Sequence, residues 1–173
     1  MFLDESGFML QPVRRRTWAP RGQTPIQYAW DRHERFSVIG AITRAPQQMR
    51  YGFYFRLCSH NIDTAELVDF LITLYRHLRR PLLLVMDRWN VHRAAMRHLE
   101  EGYGDRYVIE WLPAYAPELN PVEQVWNHTK HADLANFVPD AADDLRDAIK
   151  TSLGEKRHCR SRMEAAFKFA ELE

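Results

Sequence analysis

The stretch LPAYAPELNPVEQVWNHTK, residues 112–130, places three prolines and an asparagine directly before an apolar pattern of helical spacing. Asn120 suits the N-cap of a helix, and Pro121 suits its first position, where no backbone N–H is needed. Glu123 follows three residues after this cap, where a glutamate can bond back to the cap's backbone N–H. The stretch therefore predicts a helix beginning at Asn120, and it leaves two interpretations of Glu123, a capping residue or a ligand.

The composition is that of a folded protein. The chain has 173 residues, of which 46% are hydrophobic and 12% aromatic, so that we expect one domain over residues 1–173. Two cysteines, Cys58 and Cys159, lie far apart without a CxxC spacing, which favours a reducing compartment. No run approaches the ~20 apolar residues of a membrane span, and the N-terminus does not resemble a signal peptide. These features together predict a cytoplasmic protein.

The net charge of +1 conceals an uneven distribution of charge along the sequence. Residues 11–50 hold eight arginines against Asp31 and Glu34, and a second basic cluster occupies residues 156–162. Residues 133–147 between these clusters are acidic. Such runs are usually solvated faces, and they indicate nucleic-acid binding only where chemistry on phosphates has independent support.

Hydrophobic periodicity predicts a mixed sheet with helices packed on it. Three strands that can form an antiparallel meander come first: one around Phe2 to Asp4 that turns at Ser6 and Gly7, and two over residues 35–43 and 49–58. Strands and helices then alternate. We expect strands at 81–87, buried on both faces, and 107–112, and helices at 61–78, about 91–101, after Asn120, near 141–153 and near 161–172.

Three carboxylates fall at the ends of these predicted elements. Asp4 closes the first strand, Asp87 closes the strand predicted to be most buried, and Glu123 opens a helix. If they converge, the carboxylates repel one another unless cations lie between them, and oxygen ligands suit Mg²⁺ or Mn²⁺. Two such ions about 4 Å apart can promote phosphodiester cleavage. Asp87 can equally be a turn residue and Asp4 a surface residue, and the spacing does not decide between these interpretations.

A family resemblance favours the metal site. The strings LDESGFML with RTWAPRGQTP, then LLLVMDRWNVHRA, then LPAYAPELNPVEQVWNHTK resemble the successive motif blocks of the catalytic domain of DDE transposases. The nearest group is the mariner-related bacterial insertion sequences, and the resemblance covers the chain to about residue 130. It implies an α/β, ribonuclease H-like fold and a triad of Asp4, Asp87 and Glu123. By the same resemblance, this triad binds two Mg²⁺ or Mn²⁺ ions, cuts transposon ends and joins the 3′ hydroxyl to target DNA within a homodimer.

Further site residues follow from the same blocks. Asn120 shapes the helix start, and Lys130, seven residues after Glu123, lies on the same helical face and is a candidate phosphate contact. His92 matches a histidine common in the family's second block, although a packing role is equally open. Trp126 is expected in the core. Four further candidate phosphate contacts are Arg14, Arg15, Arg16 and Arg21.

The chain departs from the family pattern in two respects. The family often has asparagine directly after the second aspartate, where this chain has Arg88, a cation that either points away or weakens metal binding. Family members usually also carry an N-terminal helix-turn-helix region, whereas this sequence starts three residues before Asp4. We therefore expect a short leading strand and weak, non-specific DNA binding unless an upstream-frame helix-turn-helix partner or fusion supplies end recognition.

Three alternative interpretations of the sequence remain open. The chain can be an inactive transposase remnant that binds DNA non-specifically or dimerises, or it can be a structure-specific nuclease with the same fold. A structural zinc site is a weaker alternative, because His128 with His131, and His158 with Cys159, do not form a recognised four-ligand spacing. Residues 131–173 carry no motif and are expected to form a helical C-terminal part.

Overall fold

A computed structural model describes residues 1–28, 34–47, 50–170 and 172, and in these residues the chain forms a five-stranded mixed sheet. The strand order is β3-β2-β1-β4-β5. Strands β1 to β3 form an antiparallel meander, while β4 and β5 run parallel to β1, as the sequence predicted. The strands are β1 Phe2–Met9, β2 Arg35–Arg44, β3 Tyr51–Cys58, β4 Leu82–Met86 and β5 Tyr107–Trp111.

Strand β1 is longer than the sequence predicted. Instead of turning at Ser6 and Gly7, it pairs with β2 along its whole length, from Phe2 opposite Ile42 to Met9 opposite Arg35. The turn prediction was wrong because Phe8 belongs to the buried core, which keeps the strand extended. The pairing with β4 is confined to Phe2 opposite Val85, so the part of β1 beyond this pair is not hydrogen-bonded to β4.

Helices cover both faces of the sheet and enclose two apolar cores. One core, with Leu3, Ile39 and Leu84, lies on the side of α1 and α2. The other, with Phe8 and Trp126, lies on the side of α3, α4 and α5. The helices are α1 Thr64–Leu78, α2 Asn90–Tyr103, α3 Pro121–His128, α4 Ala142–Arg157 and α5 Arg160–Phe169. This arrangement places Asp4 and Glu5, in the middle of β1, between α3, which carries Trp126, and α2, which carries His92.

Smaller differences from the sequence-based expectations concern element boundaries and burial. Strand β4 is not buried on both faces, because Leu83 is half exposed while Leu84 and Met86 lie in the core. Helix α3 continues into a π-helical turn, Thr129–Asp133, and α4 extends to Arg157. Positions 49 and 171, which we placed in a strand and a helix, lie outside the described residues. None of the described helices is long and apolar enough to cross a membrane.

Candidate active site

Asp4 does not close the first strand, as the sequence predicted, because β1 continues to Met9. It lies within the strand, on the face of the sheet that α3 covers. Its Oδ2 accepts a hydrogen bond from the indole N–H of Trp126 at 2.8 Å, which joins β1 to α3. Burial raises the pKa of Asp4 to about 8, and the neighbouring charges of Glu123 and Glu5 add to this effect. Asp4 is therefore a carboxyl group whose negative charge the surrounding protein destabilises.

Gly40 makes room for the indole that contacts Asp4. Gly40 lies directly opposite Asp4 in the β1–β2 ladder. A Cβ at this position would lie 2.5 Å from Cη2 of Trp126, a distance that real Cβ atoms do not show. Trp126 is buried, as expected, but it also serves as a hydrogen-bond donor to the candidate triad. Gly40 could not be identified as a site residue from the sequence, because a single glycine in a strand does not indicate which side chain approaches it.

Asn120 fixes the start of α3 against β1. This buried side chain accepts a hydrogen bond from the backbone N–H of Val122 at 3.2 Å and donates one to the carbonyl of Leu3, also at 3.2 Å. Its own backbone N–H donates to the carbonyl of Pro117 at 2.9 Å. Because that N–H is already bonded, the capping interaction considered for Glu123 is not formed. Asn120 alone therefore caps the helix. It also attaches the start of the helix to Leu3, the residue directly before Asp4.

The carboxylate of Glu123 interacts electrostatically with other charged groups of the site. Burial raises the pKa of Glu123, the cation of Lys130 partly offsets this effect, and the charge of Asp87 adds to it. Within the part of the chain that the structure describes, no hydrogen bond to its carboxylate is present. Glu123 therefore has oxygens available for a ligand.

Asp87 is held by Trp89, the residue before α2, and by His92 in the first turn of α2. Its Oδ1 accepts from the backbone N–H of Trp89 at 2.9 Å and lies 2.7 Å from Nδ1 of His92. Nε2 of the same histidine lies 2.9 Å from a carboxylate oxygen of Glu5. His92, which is 1% exposed, thus bridges the carboxylates of Asp87 and Glu5.

The bridge gives His92 a function beyond packing. Burial opposes a charge on the ring, but the hydrogen bond and charge of Glu5, together with Asp87, outweigh it and raise the pKa of His92 to about 9. Glu5 was not among the site residues predicted from the sequence. Its position directly after Asp4 was the available signal, since successive residues of a strand face opposite sides of the sheet.

Lys130 lies near enough to Glu123 and Asp4 for their charges to affect its pKa. Its ammonium group lies 5.3 Å from the centre of the Phe8 ring. Burial lowers the pKa of Lys130, while the charges of Glu123 and Asp4 act in the opposite direction. Arg88, in contrast, is exposed, and in the described part of the chain it forms no ion pair with Asp87.

The arginine-rich segment after β1 contacts the residues that directly follow the π-helical turn. Val13 forms a bridge with Ala135, and the backbone N–H of Arg15 donates to Oδ1 of Asn136 at 2.8 Å. Beyond this attachment the segment is exposed, including Trp18, which is 99% exposed. The four predicted phosphate contacts share this exposure and do not contact the carboxylates; they are Arg14, Arg15, Arg16 and Arg21.

The three candidate carboxylates therefore belong to one electrostatic neighbourhood. The charge of Glu123 contributes to the raised pKa of Asp4, and the charge of Asp87 contributes to the raised pKa of Glu123. Among the described residues, however, the ligand oxygens of all three do not lie within 4.8 Å of one another. Asp4 and Glu123 are partly buried and Asp87 is exposed. Carboxylates that raise one another's pKa are stabilised by cations, and their oxygen ligands fit Mg²⁺ or Mn²⁺.

Comparison with known families decides the classification. A family model described as DDE superfamily endonuclease matches residues 1–146. The chain belongs to the DDE endonuclease superfamily. No curated protein sequence matches the chain at a significant level.

Solved structures show the same fold as this DDE-superfamily chain. The Mos1 mariner paired end complex with Mn has a TM-score of 0.70 at 18% identity, and the match covers 99% of this chain and 52% of that chain. The corresponding complex with Mg gives a TM-score of 0.70 at 19% identity, with coverage of 99% and 52%. The catalytic domain of Mos1 mariner transposase gives 0.52 at 14% identity, with coverage of 96% and 80%. The fold is therefore ribonuclease H-like, and the chain spans about half the length of the Mos1 chains in the two complexes.

Substitution of Gly40 tests the close approach of Trp126 in this DDE-superfamily fold. We expect Gly40→Ala to destabilise the protein by about 1–3 kcal/mol, because the new methyl group must displace the indole. For a chain of this size the melting temperature should fall by roughly 3–10 °C. Thermal unfolding of Gly7→Ala is the matched control, since a Cβ at Gly7 meets no atom within 4 Å. Equal melting temperatures of Gly40→Ala and wild type would contradict the packing described here.

The pKa of Asp4 leads to a pH-dependent prediction for the protein in a chelating buffer. The folded protein keeps this carboxyl protonated up to a pKa of about 8, whereas the unfolded chain ionises near 3.8. Stability should therefore fall as the pH rises through this interval, and Asp4→Asn should remove that part of the loss. The melting temperature of Asp4→Asn should exceed that of wild type by an amount that grows from about pH 4 to about pH 8. If the difference in melting temperature between Asp4→Asn and wild type does not change with pH, the raised pKa assigned to Asp4 is wrong.

Proposed function

We propose that this chain is the catalytic part of an insertion-sequence transposase, in which Asp4, Asp87 and Glu123 hold the metal ions that act on DNA. The observation that carries the proposal is the electrostatic coupling of these three carboxylates, which come from β1, the end of β4 and the first turn of α3. The proposed reaction is phosphodiester cleavage at transposon ends, followed by transfer of the freed 3′ end to target DNA.

The properties of the carboxylates support a site for two divalent cations. The raised pKa values of Asp4 and Glu123 arise from burial and from the charges of neighbouring carboxylates, and bound cations offset both effects. Mg²⁺ or Mn²⁺ takes one or two carboxylates, and two ions suit three oxygen ligands that do not gather around one point. When bound, such ions supply positive charge that favours both the attacking and the leaving oxygen of a phosphodiester.

The remaining site residues position the carboxylates. Trp126 holds one oxygen of Asp4, so the other remains available, and Asn120 fixes the start of the helix that carries Glu123. His92 orients Asp87 and is itself held by Glu5. Hydrogen-bonded partners of metal ligands typically contribute about 10–100-fold to metal affinity or activity. We therefore assign positioning functions to His92 and Asn120, as the family resemblance suggested.

The proposed partner is DNA, bound initially through its phosphates. Lys130 and the exposed arginines of residues 14–21 provide the cations, and phosphate contacts of this kind confer affinity without sequence preference. The similar Mos1 structures are described as paired end and strand transfer complexes. On that basis we propose a homodimer in the active complex. Recognition of transposon ends is proposed as a property of a larger assembly or fusion that includes a helix-turn-helix region.

Nicking of supercoiled plasmid DNA tests the proposed activity. We expect the chain to convert supercoiled to nicked DNA in the presence of Mn²⁺ or Mg²⁺. Removal of the ions with a chelator should stop the reaction, and readdition should restore it. If purified, folded protein does not nick DNA with either metal, the activity proposal fails and the inactive DNA-binding remnant becomes the better description. Nicking without any transfer of 3′ ends to a second DNA would instead indicate a nuclease.

The arginine-rich segment makes a separate prediction about DNA binding. Triple replacement of Arg14, Arg16 and Arg21 by alanine should reduce the slope of log K against log salt concentration by about 2–3. Binding to random duplexes should weaken to the same extent as binding to transposon-end duplexes. The control for this triple variant replaces three exposed arginines outside the segment by alanine: Arg76, Arg80 and Arg97. Equal salt slopes for the two variants would exclude the segment as the main phosphate-binding surface.

A further inference from the structure

A second group of ligand-forming side chains lies at the end of β3 and the first turn of α1. It consists of Cys58, His60 and Glu66, whose sulfur, nitrogen and oxygen ligand atoms all lie within 4.8 Å of one another. Of the residues that the structure describes, these alone form such a group of three or more metal-binding side chains. The zinc pairs considered from the sequence do not form one, and His128 instead contacts Arg162 and Asp133.

The separations within this group match those of ligands around one zinc ion. A tetrahedral Zn²⁺ with ordinary bond lengths places a sulfur and an oxygen ligand about 3.6 Å apart and a nitrogen and an oxygen ligand about 3.4 Å apart. In the structure, Sγ of Cys58 lies 3.7 Å from Oε2 of Glu66, and Nε2 of His60 lies 3.2 Å from Oε1 of the same residue. The carboxylate of Glu66 therefore lies between the sulfur and the nitrogen, with a different oxygen toward each, and the three residues offer ligand atoms within 4.8 Å of one another.

The backbone around the group is fixed by ordinary secondary structure. Cys58 is the last residue of β3 and pairs with Ser37 of β2. Glu66 lies in the first turn of α1, where its backbone N–H donates to Oδ1 of the N-cap residue Asp63 at 2.9 Å. His60 lies on the short connection between the two elements and is exposed to solvent, so an ion has access from solution. Only side-chain adjustments are needed for binding.

The charges of the group also suit a divalent cation. A thiolate and a carboxylate together neutralise Zn²⁺, and neutral histidine supplies the third ligand without charge. Arg56, whose guanidinium lies 3.6 Å from Glu66, has a closer partner in Asp69 at 2.6 Å. The arginine therefore keeps an anionic partner when Glu66 turns toward a metal ion.

We propose that Cys58, His60 and Glu66 bind a thiophilic divalent cation of the Zn²⁺ class, with a fourth position open to water. The site is separate from the catalytic carboxylates and does not depend on the proposed transposase function. Binding converts the Cys58 thiol into a metal thiolate and releases its proton to solvent.

The proposed ion would fasten the end of β3 to the start of α1. The connection between them contains Asn61 and Ile62, which line a cavity of about 750 Å³. Glu5 and Lys130 of the candidate active site line the same cavity. A bound metal would thus stabilise one wall of the cavity that Glu5 and Lys130 also line.

Cobalt substitution provides the most selective test, because a Co²⁺–thiolate bond gives a charge-transfer band that oxygen and nitrogen ligands do not. The chain has two cysteines, Cys58 and Cys159, so each serves as the control for the other. We expect the band in wild type and in Cys159→Ser, its loss in Cys58→Ser, and its displacement by one equivalent of Zn²⁺. Absence of the band in wild type, or its persistence in Cys58→Ser, would overturn the proposal.

A second pair of variants keeps the test valid if Cys58→Ser does not fold. His60→Gln changes an exposed side chain and should weaken Co²⁺ and Zn²⁺ binding by about a hundredfold, whereas His158→Gln should bind as wild type does. At a hundredfold excess of free Zn²⁺ over its Kd, the melting temperature of wild type should rise by about 5–10 °C. Measuring this in an Asp87→Asn background excludes the catalytic carboxylates as the source. Equal affinities of His60→Gln and His158→Gln would also refute the proposed ligand set.

Discussion

Replacement of Asp87 by asparagine is expected to reduce metal-dependent DNA nicking on the order of 10⁴-fold, the scale seen when one member of a catalytic set that acts as a unit is removed. Asparagine retains a carbonyl oxygen that can accept the hydrogen bonds now made by Trp89 and His92. It lacks the anionic oxygen that a divalent cation requires. The fold should therefore be kept while the proposed metal site is lost, as initial nicking rates in Mn²⁺ would show.

The matched control for this variant is Asp105→Asn. Asp105 is an exposed aspartate in the short turn before β5, away from the candidate site, and its replacement should leave nicking unchanged. Both variants should unfold at temperatures close to that of wild type in a chelating buffer. If Asp87→Asn nicks DNA as fast as wild type does, Asp87 is not a metal ligand and the proposed triad is wrong.

Glu123→Gln is expected to reduce nicking on the order of 10³-fold or more, for the same reason of lost anionic charge at a catalytic set. The structure makes this variant informative, because the backbone N–H that a capping glutamine would bind is already bonded to the carbonyl of Pro117. Stability without metal should be unchanged or slightly raised, since a neutral amide removes a partly buried negative charge. The increase in melting temperature on addition of Mn²⁺ should be lost.

Glu118→Gln is the control for this second substitution. Glu118 is exposed in the short turn that precedes α3, so both variants remove one negative charge from the same region of sequence. Wild-type nicking by Glu123→Gln, together with a normal response to Mn²⁺, would reduce Glu123 to an ordinary helix residue. Loss of stability without metal would instead mean that its charge supports the fold itself.

Much of the fold could be predicted from local sequence patterns. The helix start at Asn120 and Pro121 rests on capping preferences of neighbouring residues, and the structure confirms it. The mixed character of the sheet followed from three consecutive strands and then an alternation with helices. The same patterns predicted the ends of strands and helices less accurately. Strand β1 does not turn at Gly7, because its pairing with β2 and the burial of Phe8 extend it.

The sequence by itself determined the candidate triad through the order of its motif blocks, together with the local structure around each residue. Only the tertiary structure decided which side chains support it. Trp126 reaches Asp4 across 122 positions of sequence, and His92 reaches Glu5 across 87. Such contacts depend on strand register and on the helix packed against each face, which patterns of neighbouring residues do not encode. Gly40 shows the physical reason most directly, because its importance lies in the missing Cβ that allows Trp126 to approach.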